Sequence, residues 1–453
     1  MTLENLINIF NKVENEEKLF GKTTGSLNHW IIIRTNVFVK IQNQLFNLNK
    51  WKNSYRKKQS LFNVYSSLRY LLRILLNLEK TDYLVIPHGR REKANCNYIG
   101  VLQEKFQNDK KSFQIINISE NYTFSDEIHL RRFEVLISII GKLISPFYRN
   151  PIKQDIQKIY ERCGVTLERS DIRLYKVLII KSLLREKIYH LILKRLKPKA
   201  LFLVDYYNHF NLVMCQVAKD MGVLVTEFQH GPITKYSIQY CFPESIISPK
   251  GFPDNFLFFG DNWKGKSYFP IPKENQFSIG FKHLEKQKQS ISKKQFEEES
   301  ITLISQPSIA PIIQDFAKEL SMKLPVKIRL HPSELRNKEK IKANLVDFQN
   351  ISIDENINPY DTVIQSRAII GVHSTLLFEA LYFGKKVYIL EGEFSKVATD
   401  YDKNNEFEVI KNVKDFLERI DNLSNIGSET LFFKKFNESH FNESIKFILS
   451  SNY

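Results

Sequence analysis

Four histidines stand where apolar runs give way to loops, and each has neighbours fit for chemistry. In "EFQHGPITK" (227–235), His230 is followed by Gly231, which lets a backbone turn sharply and approach a ligand, and then by Lys235. An imidazole titrates near neutrality and suits a general base; the bland alternative is a loop histidine bonded to a carbonyl. "RLHPSE" (329–334) sets Arg329 and His331 two residues apart, on one face of a strand, with Pro332 ending that strand. A guanidinium beside an imidazole suits a diphosphate. A surface charge beside a buried histidine would give the same pattern.

"GVHSTLLFEALYFGKKVYIL" (371–390) puts His373, Ser374 and Thr375 between a strand-like run and an amphipathic helix. Ser and Thr are favoured N-caps. The same helix start, with its free N–H groups and dipole, is an anion site. Glu379, one turn in, can accept the hydroxyls of a ribose or simply complement the dipole. "IPHGRRE" (86–92) adds His88, Arg90 and Arg91, and Asp205 ends "ALFLVD" (200–205) as a second candidate base.

Positioning these groups requires a parallel α/β scaffold. Strands are expected at 83–87, 112–118, 200–205, 223–228, 255–260, 276–280, 300–306, 325–332, 351–354, 367–372 and 386–390, with helix-length segments between many of them. The segment 206–222 is one such helix, ending at Gly222 as a C′ residue. Alternating strands and helices imply parallel sheets covered by helices. In such sheets ligands bind beyond the carboxyl ends of the strands, where Asp205, His230, His331 and His373 all fall. A Pro/Gly-rich interval at 231–254 breaks the rhythm, so two domains are expected, 1–254 and 255–453, facing a central cleft.

The chain's 453 residues, 43% of them hydrophobic, suffice for two such cores. Its net charge of +16 favours an anionic partner, yet no zinc-finger or RNP-type pattern supports nucleic acid. Four scattered cysteines with no C-x-x-C pair argue against a zinc site and a disulfide framework. No signal-peptide layout and no long uncharged apolar run is present, so a cytoplasmic or peripheral protein is expected. Two basic amphipathic stretches, 49–80 and 176–199, suit an anionic membrane surface or the outside of an α/β domain.

The ordered set His-Gly then Lys, Arg-x-His-Pro, and strand–hydroxyls–helix–"GKKV" resembles the two-domain GT-B transferases of bacterial capsule, teichoic-acid and lipopolysaccharide synthesis. The likeness runs over about 200–392 and is nearest to enzymes with cytidine-activated donors. CDP-glycerol glycerophosphotransferases carry His-Gly-Thr-Pro-Leu-Lys, Arg-Pro-His-Pro and Asp-Tyr-Ser-Ser. Sialyl- and Kdo-type transferases carry a similar His-Pro and hydroxyl pair, and "IPHGRRE" is similar to a His-x-Arg-Arg segment of capsule-type transferases. Here "HGPITK" shifts the Pro and "GVHST" replaces Asp-Tyr-Ser-Ser, which weighs against alditol-phosphate transfer.

The resemblance implies an inverting GT-B glycosyltransferase taking a nucleotide-activated sugar, a CMP-sugar first, to a glycan or glycolipid acceptor. It implies His230 or Asp205 as base. Arg329, His331, Pro332, His373, Ser374, Thr375 and Glu379 would stand on the donor side. His88, Arg90, Arg91, Gly231 and Lys235 would contact donor or acceptor. The motif loops hold no Asp-x-Asp pair, so neither metal nor cofactor is expected. A CDP-alditol phosphotransferase and a non-catalytic GT-B binding protein are the rivals.

Overall fold

The alternating apolar runs resolve into two parallel sheets. A computed structural model describes the chain apart from residues 26, 47, 49–60, 89–96, 120–126, 292–299, 401, 403–404, 421–429 and 451–453, and the side chains of 61–63 and 291. Arg90, Arg91, Cys96 and the start of the basic stretch 49–80 lie outside the described residues.

The first lobe opens with α1 (Leu3–Glu16), a hairpin of β1 (Thr23–Thr24) and β2 (Leu27–Asn28), α2 (His29–Leu45) and α3 (Leu61–Asn77). It continues through β3 (Tyr83–Ile86), α4 (Gly100–Asn108), β4 (Phe113–Asn117), β5 (Ile128–His129), α5 (Glu134–Ile144), α6 (Lys153–Arg162) and α7 (Arg169–Leu196). Its last elements are β6 (Ala200–Val204), α8 (His209–Asp220), β7 (Leu224–Phe228), β8 (Asn255–Phe258) and β9 (Gln276–Ser278). The second lobe runs α9 (Lys282–Ile291), β10 (Ser300–Ile304), α10 (Ala310–Ser321), β11 (Val326–Arg329), α11 (Lys338–Ala343) and β12 (Ile351–Ile353). It ends with α12 (Pro359–Gln365), β13 (Ser366–Gly371), α13 (Thr375–Tyr382), β14 (Val387–Leu390), α14 (Lys396–Thr399), β15 (Phe407–Ile410) and α15 (Val413–Arg419), before α16 (Glu438–Ser450).

Among the described residues the first sheet has the order β5-β4-β3-β6-β7-β8-β9 and the second β12-β11-β10-β13-β14-β15. Every pairing in both is parallel. Each order runs outward and then reverses, between β3 and β6 and between β10 and β13. That doubly wound pattern opens a crevice at the strand ends of each lobe. β6 is buried along its whole length, as a central parallel strand covered on both faces must be.

The domain boundary expected at 254/255 needs correction. Asn255–Phe258 pairs with β7 (Thr226↔Asn255), and β9 pairs with it in turn, so both strands belong to the first sheet. The Pro/Gly-rich interval is the β7–β8 connection, not a hinge. It is packed down by Ile233, Ile238, Tyr240, Phe242 and Phe252. It is also held from beneath by buried Arg34, whose guanidinium donates to the carbonyls of Ile238 and Cys241 and pairs with Glu14. The last strand and helix of the first lobe bracket the crossing instead: the chain leaves through α9 and returns in α16, whose Phe441, Ile445 and Ile448 join the core of β3 and β6.

The stretch 176–199 also resolves. Most of it lies in α7, which buries Ile179, Ile180, Ile188, Tyr189, Ile192 and Leu193. It is a core-covering helix of the first lobe, as its bland reading had it.

Candidate functional site

In the first lobe three strand ends converge. His88 follows β3, Asp205 follows β6, and His230 stands two residues beyond β7. The imidazole of His230 lies 5.7 Å, ring to ring, from that of His88 and 6.3 Å from Tyr98. The Tyr207 hydroxyl is 3.1 Å from its Nε2, and the Glu227 carboxyl is 3.9 Å from its Nδ1.

Asp205 adopts φ +64°, the left-handed region that Asp enters more readily than most non-glycine residues. Glu227 ties the turn down. Its carboxyl accepts the N–H groups of Asp205 and Tyr206, the latter at 3.3 Å, and the Tyr240 hydroxyl at 2.7 Å. Glu227 is fully buried, and burial drives its pKa well above the ordinary carboxylate range; the donors oppose the shift and the Asp205 carboxylate adds to it. Sequence reasoning passed over Glu227, although a lone acid inside "VLVTEF" was a signal. A buried parallel strand carries a charge only where something requires one.

The second lobe supplies the facing wall. β13 turns into α13 so tightly that a Cβ on Gly371 would meet Leu377 Cδ2 at 2.9 Å. Ser374 is the N-cap, its hydroxyl accepting the Leu376 N–H at 3.3 Å, which establishes the capping role. His373 has a buried Nδ1 with no hydrogen-bond partner among the described residues. Burial, with help from nearby His331, pushes its pKa down to about 4, so the ring is neutral at pH 7. His331 Nδ1 accepts the Ser333 N–H at 3.2 Å, which places its proton on Nε2. Its own N–H donates to Glu334 at 2.8 Å.

The two walls meet at the motif loops. A Cβ built on Gly231 would lie 3.5 Å from the Thr375 hydroxyl, so Gly231 is where the first lobe comes down on the start of α13. Below this contact the lobes share one core: Trp263 packs on Phe378, ring centroids 5.3 Å apart. Tyr98 stacks flat on Phe281 at 5.4 Å, and Tyr360 lies between His283 and Phe383.

Several expected ligands are engaged within the protein. Arg329 donates to Asp354, to the Asn356 carbonyl at 3.0 Å and to Thr362 at 3.2 Å, so its guanidinium fork serves the ends of β11 and β12. Pro332 is exposed and sits inside the turn closed by the Glu334 N–H on the His331 carbonyl at 2.8 Å, which makes it a turn former. Glu379 is buried against Tyr360, and burial raises its pKa to about 7 while the Tyr360 hydroxyl opposes that rise.

Lys235 bridges Glu4 at 3.1 Å and Asp400 at 3.0 Å. Partial burial pulls its pKa down, but Asp400 and Glu4 outweigh this and hold the ammonium above its ordinary value. It is a clamp between lobes, reinforced by the Tyr236 hydroxyl on Asp400 at 2.7 Å. Asp400 and Asp402 do form an Asp-x-Asp pair outside the motif loops. Asp400 is held as described, and Asp402 accepts the N–H groups of Glu406 and Phe407 at 2.6 and 2.7 Å.

No family model and no curated protein sequence matches the chain. Solved structures do. Staphylococcus aureus MnaA with UDP is similar at TM-score 0.51 and 11% identity, over 82% of this chain and 97% of that one. A Listeria monocytogenes structure named as a UDP-N-acetylglucosamine 2-epimerase is similar at TM-score 0.50 and 12% identity, over 82% and 96%. The glycotransferase of kitacinnamycin aligns more loosely, at TM-score 0.44 and 9% identity, over 82% and 96%. The likeness to the first two fixes the architecture: two Rossmann-like lobes of GT-B type.

Proposed function

We propose that the chain is an inverting glycosyltransferase that moves a sugar from a nucleotide-activated donor, a CMP-sugar first, onto a surface-polysaccharide glycan or glycolipid. The supporting observation is the meeting of the two motif loops, with Gly231 against Thr375. It brings together the loop that carries His230 and the loop that opens α13, and a group transfer between two bound substrates calls for a base on one lobe and phosphate donors on the other.

In this reading the donor phosphate lies at the start of α13 and accepts from the Thr375 hydroxyl and backbone N–H groups there. The neutral imidazole of His373 and the Nε2–H of His331 add donors. His230, or Asp205 beside it, removes the proton from the acceptor hydroxyl. The acceptor oxygen bonds to the anomeric carbon as the bond from that carbon to the phosphate oxygen breaks, and the electron pair leaves with the nucleotide. Donors fixed in place before the charge develops stabilise that leaving phosphate. Tyr207 and Glu227 set the orientation of the His230 ring and of the Asp205 turn. The reaction as read uses neither a metal nor a cofactor. Nucleic acid has no part in it, and the site of action is the inner face of the cytoplasmic membrane.

A second reading, epimerisation of the bound sugar nucleotide, is favoured by the buried carboxyl of Glu227, 3.9 Å from His230, with half-buried Asp205 on the neighbouring strand end. The test is product analysis by NMR with CMP-, CDP- and UDP-linked donors and a glycan acceptor. Transfer with inversion at the anomeric carbon and release of nucleotide supports the proposal. A changed sugar still joined to its nucleotide supports the second reading, and movement of an alditol phosphate would make the enzyme a phosphotransferase. Binding of a nucleotide with no turnover would mark a binding protein.

A further inference from the structure

One face of the first lobe is unlike the rest of the surface. On α3, Tyr65, Leu68, Leu72 and Leu76 fall at helical spacing on a single stripe, and all four are exposed, Leu76 at 78%. The opposite side of the helix is anchored, with Ser67 and Ile74 buried and the Tyr70 hydroxyl accepting the His129 N–H at 2.8 Å. α3 packs against α5; Leu143 at 69% and Ile144 at the C-terminal end of α5, and Phe147 at 87% just beyond it, are exposed as well. Isolated exposed leucines mean little, but a row of them on two packed helices marks an interaction surface.

The charges flanking the stripe are basic, and the nearest acid in sequence, exposed Glu79, lies beyond the end of α3. Arg69 and Arg73 are exposed one turn apart along its flank, and Lys142 and Arg149 bracket Leu143–Phe147. No Asp or Glu occurs in 61–78 or in 135–149. Glu134, at the other end of α5, is tied to Arg185 and Lys181.

We propose that this α3–α5 face docks on an anionic lipid surface. Large apolar side chains standing proud between arginines and lysines match the interfacial zone of a bilayer, with rings and leucines at acyl depth and cations among headgroups. A second copy of the chain is a poorer occupant, because a symmetric contact would bring four like charges on each side together. An acidic protein partner would need grooves for side chains that project singly. The inference stands apart from the sugar chemistry and survives if the transfer reaction is wrong.

Vesicle co-sedimentation with the whole protein tests it. Phosphatidylcholine vesicles with and without about one quarter phosphatidylglycerol are compared. Wild type should pellet with the anionic vesicles, release as salt rises, and stay in solution with the neutral ones. The pair Arg69→Ala/Arg73→Ala should weaken binding roughly 30-fold, from about one kilocalorie per basic residue near such a surface. Leu76→Ser/Phe147→Ser should abolish pelleting while the melting temperature holds, since both side chains are solvated. Failure of wild type to pellet, equal binding to both vesicles, or full binding by both variants overturns the proposal. So does a dimer in sedimentation velocity that the Leu76→Ser/Phe147→Ser pair dissolves while vesicles bind nothing.

Discussion

His230 is the residue on which the chemistry turns. As a base it acts on the acceptor and leaves the donor alone, so His230→Ala should lower turnover by about 10²–10⁴ with donor affinity unchanged. A parallel loss of donor affinity would make it a ligand and pass the base role to Asp205. Glu379 offers a test of a different kind. Its pKa rises from an ordinary 4.5 to about 7 in the folded protein, so between those values the native state holds a proton that the unfolded chain has lost. The stability this provides is complete below pH 4.5 and is lost as pH rises through 7. Glu379→Gln keeps the neutral form at every pH. Denaturant melts should therefore show the variant gaining on wild type by about 2.5 kcal/mol between pH 5 and pH 8. A constant difference would show that Glu379 is ionised at both.

Among elements, the return of the chain from the second lobe to the first is the feature most exposed to a single change. Residues 430–436 run across two glycines of the first lobe. A Cβ on Gly280 would fall 2.6 Å from the Lys434 carbonyl and 2.8 Å from Phe436 Cα, and Gly280 has φ +78°. Gly280→Ala should cost about 1–3 kcal/mol from overpacking alone, with more from the left-handed backbone. Gly392 has nothing within 4 Å of a built Cβ, and Gly392→Ala should stay within about 0.5 kcal/mol of wild type. Equal melting temperatures for the two variants would mean that the return segment yields easily. Most of the strands were legible because apolar runs of parallel-strand length lie between helical segments; the edge strands β5 and β15, short and adjoining polar residues, were not. The boundary was not: "FPESIISPKGFPD" reads as a hinge, whereas its Phe242 and Phe252 are buried among aromatics and deliver Asn255 to β7. Proline and glycine mark irregular backbone but not which sheet the next strand joins.

For the whole molecule, strand order decides what the motif residues can do. Sequence alone put His230 and His373 at strand ends; the doubly wound orders open a crevice at those ends in each lobe, and the lobes meet nearby, with Gly231 against Thr375. It also offered Arg329, Pro332 and Lys235 as ligands, which the fold uses for a strand-end tie, a turn and an interlobe clamp. Such partners as Asp354 and Asp400 are distant enough in sequence that no local pattern reveals them. The central claim is that the start of α13 holds the phosphate of a nucleotide. It is tested by thermal denaturation of wild type and of Ser374→Ala/Thr375→Ala with CMP, CDP, UDP, GDP and ADP. A nucleotide at about 100 times its dissociation constant should stabilise wild type by about 2.7 kcal/mol. The double variant should lose that shift, beyond the roughly 0.5–2 kcal/mol that loss of a cap costs by itself. If no nucleotide stabilises wild type, or if the shift persists undiminished in the variant, the helix start is only a capped helix start and the account is wrong.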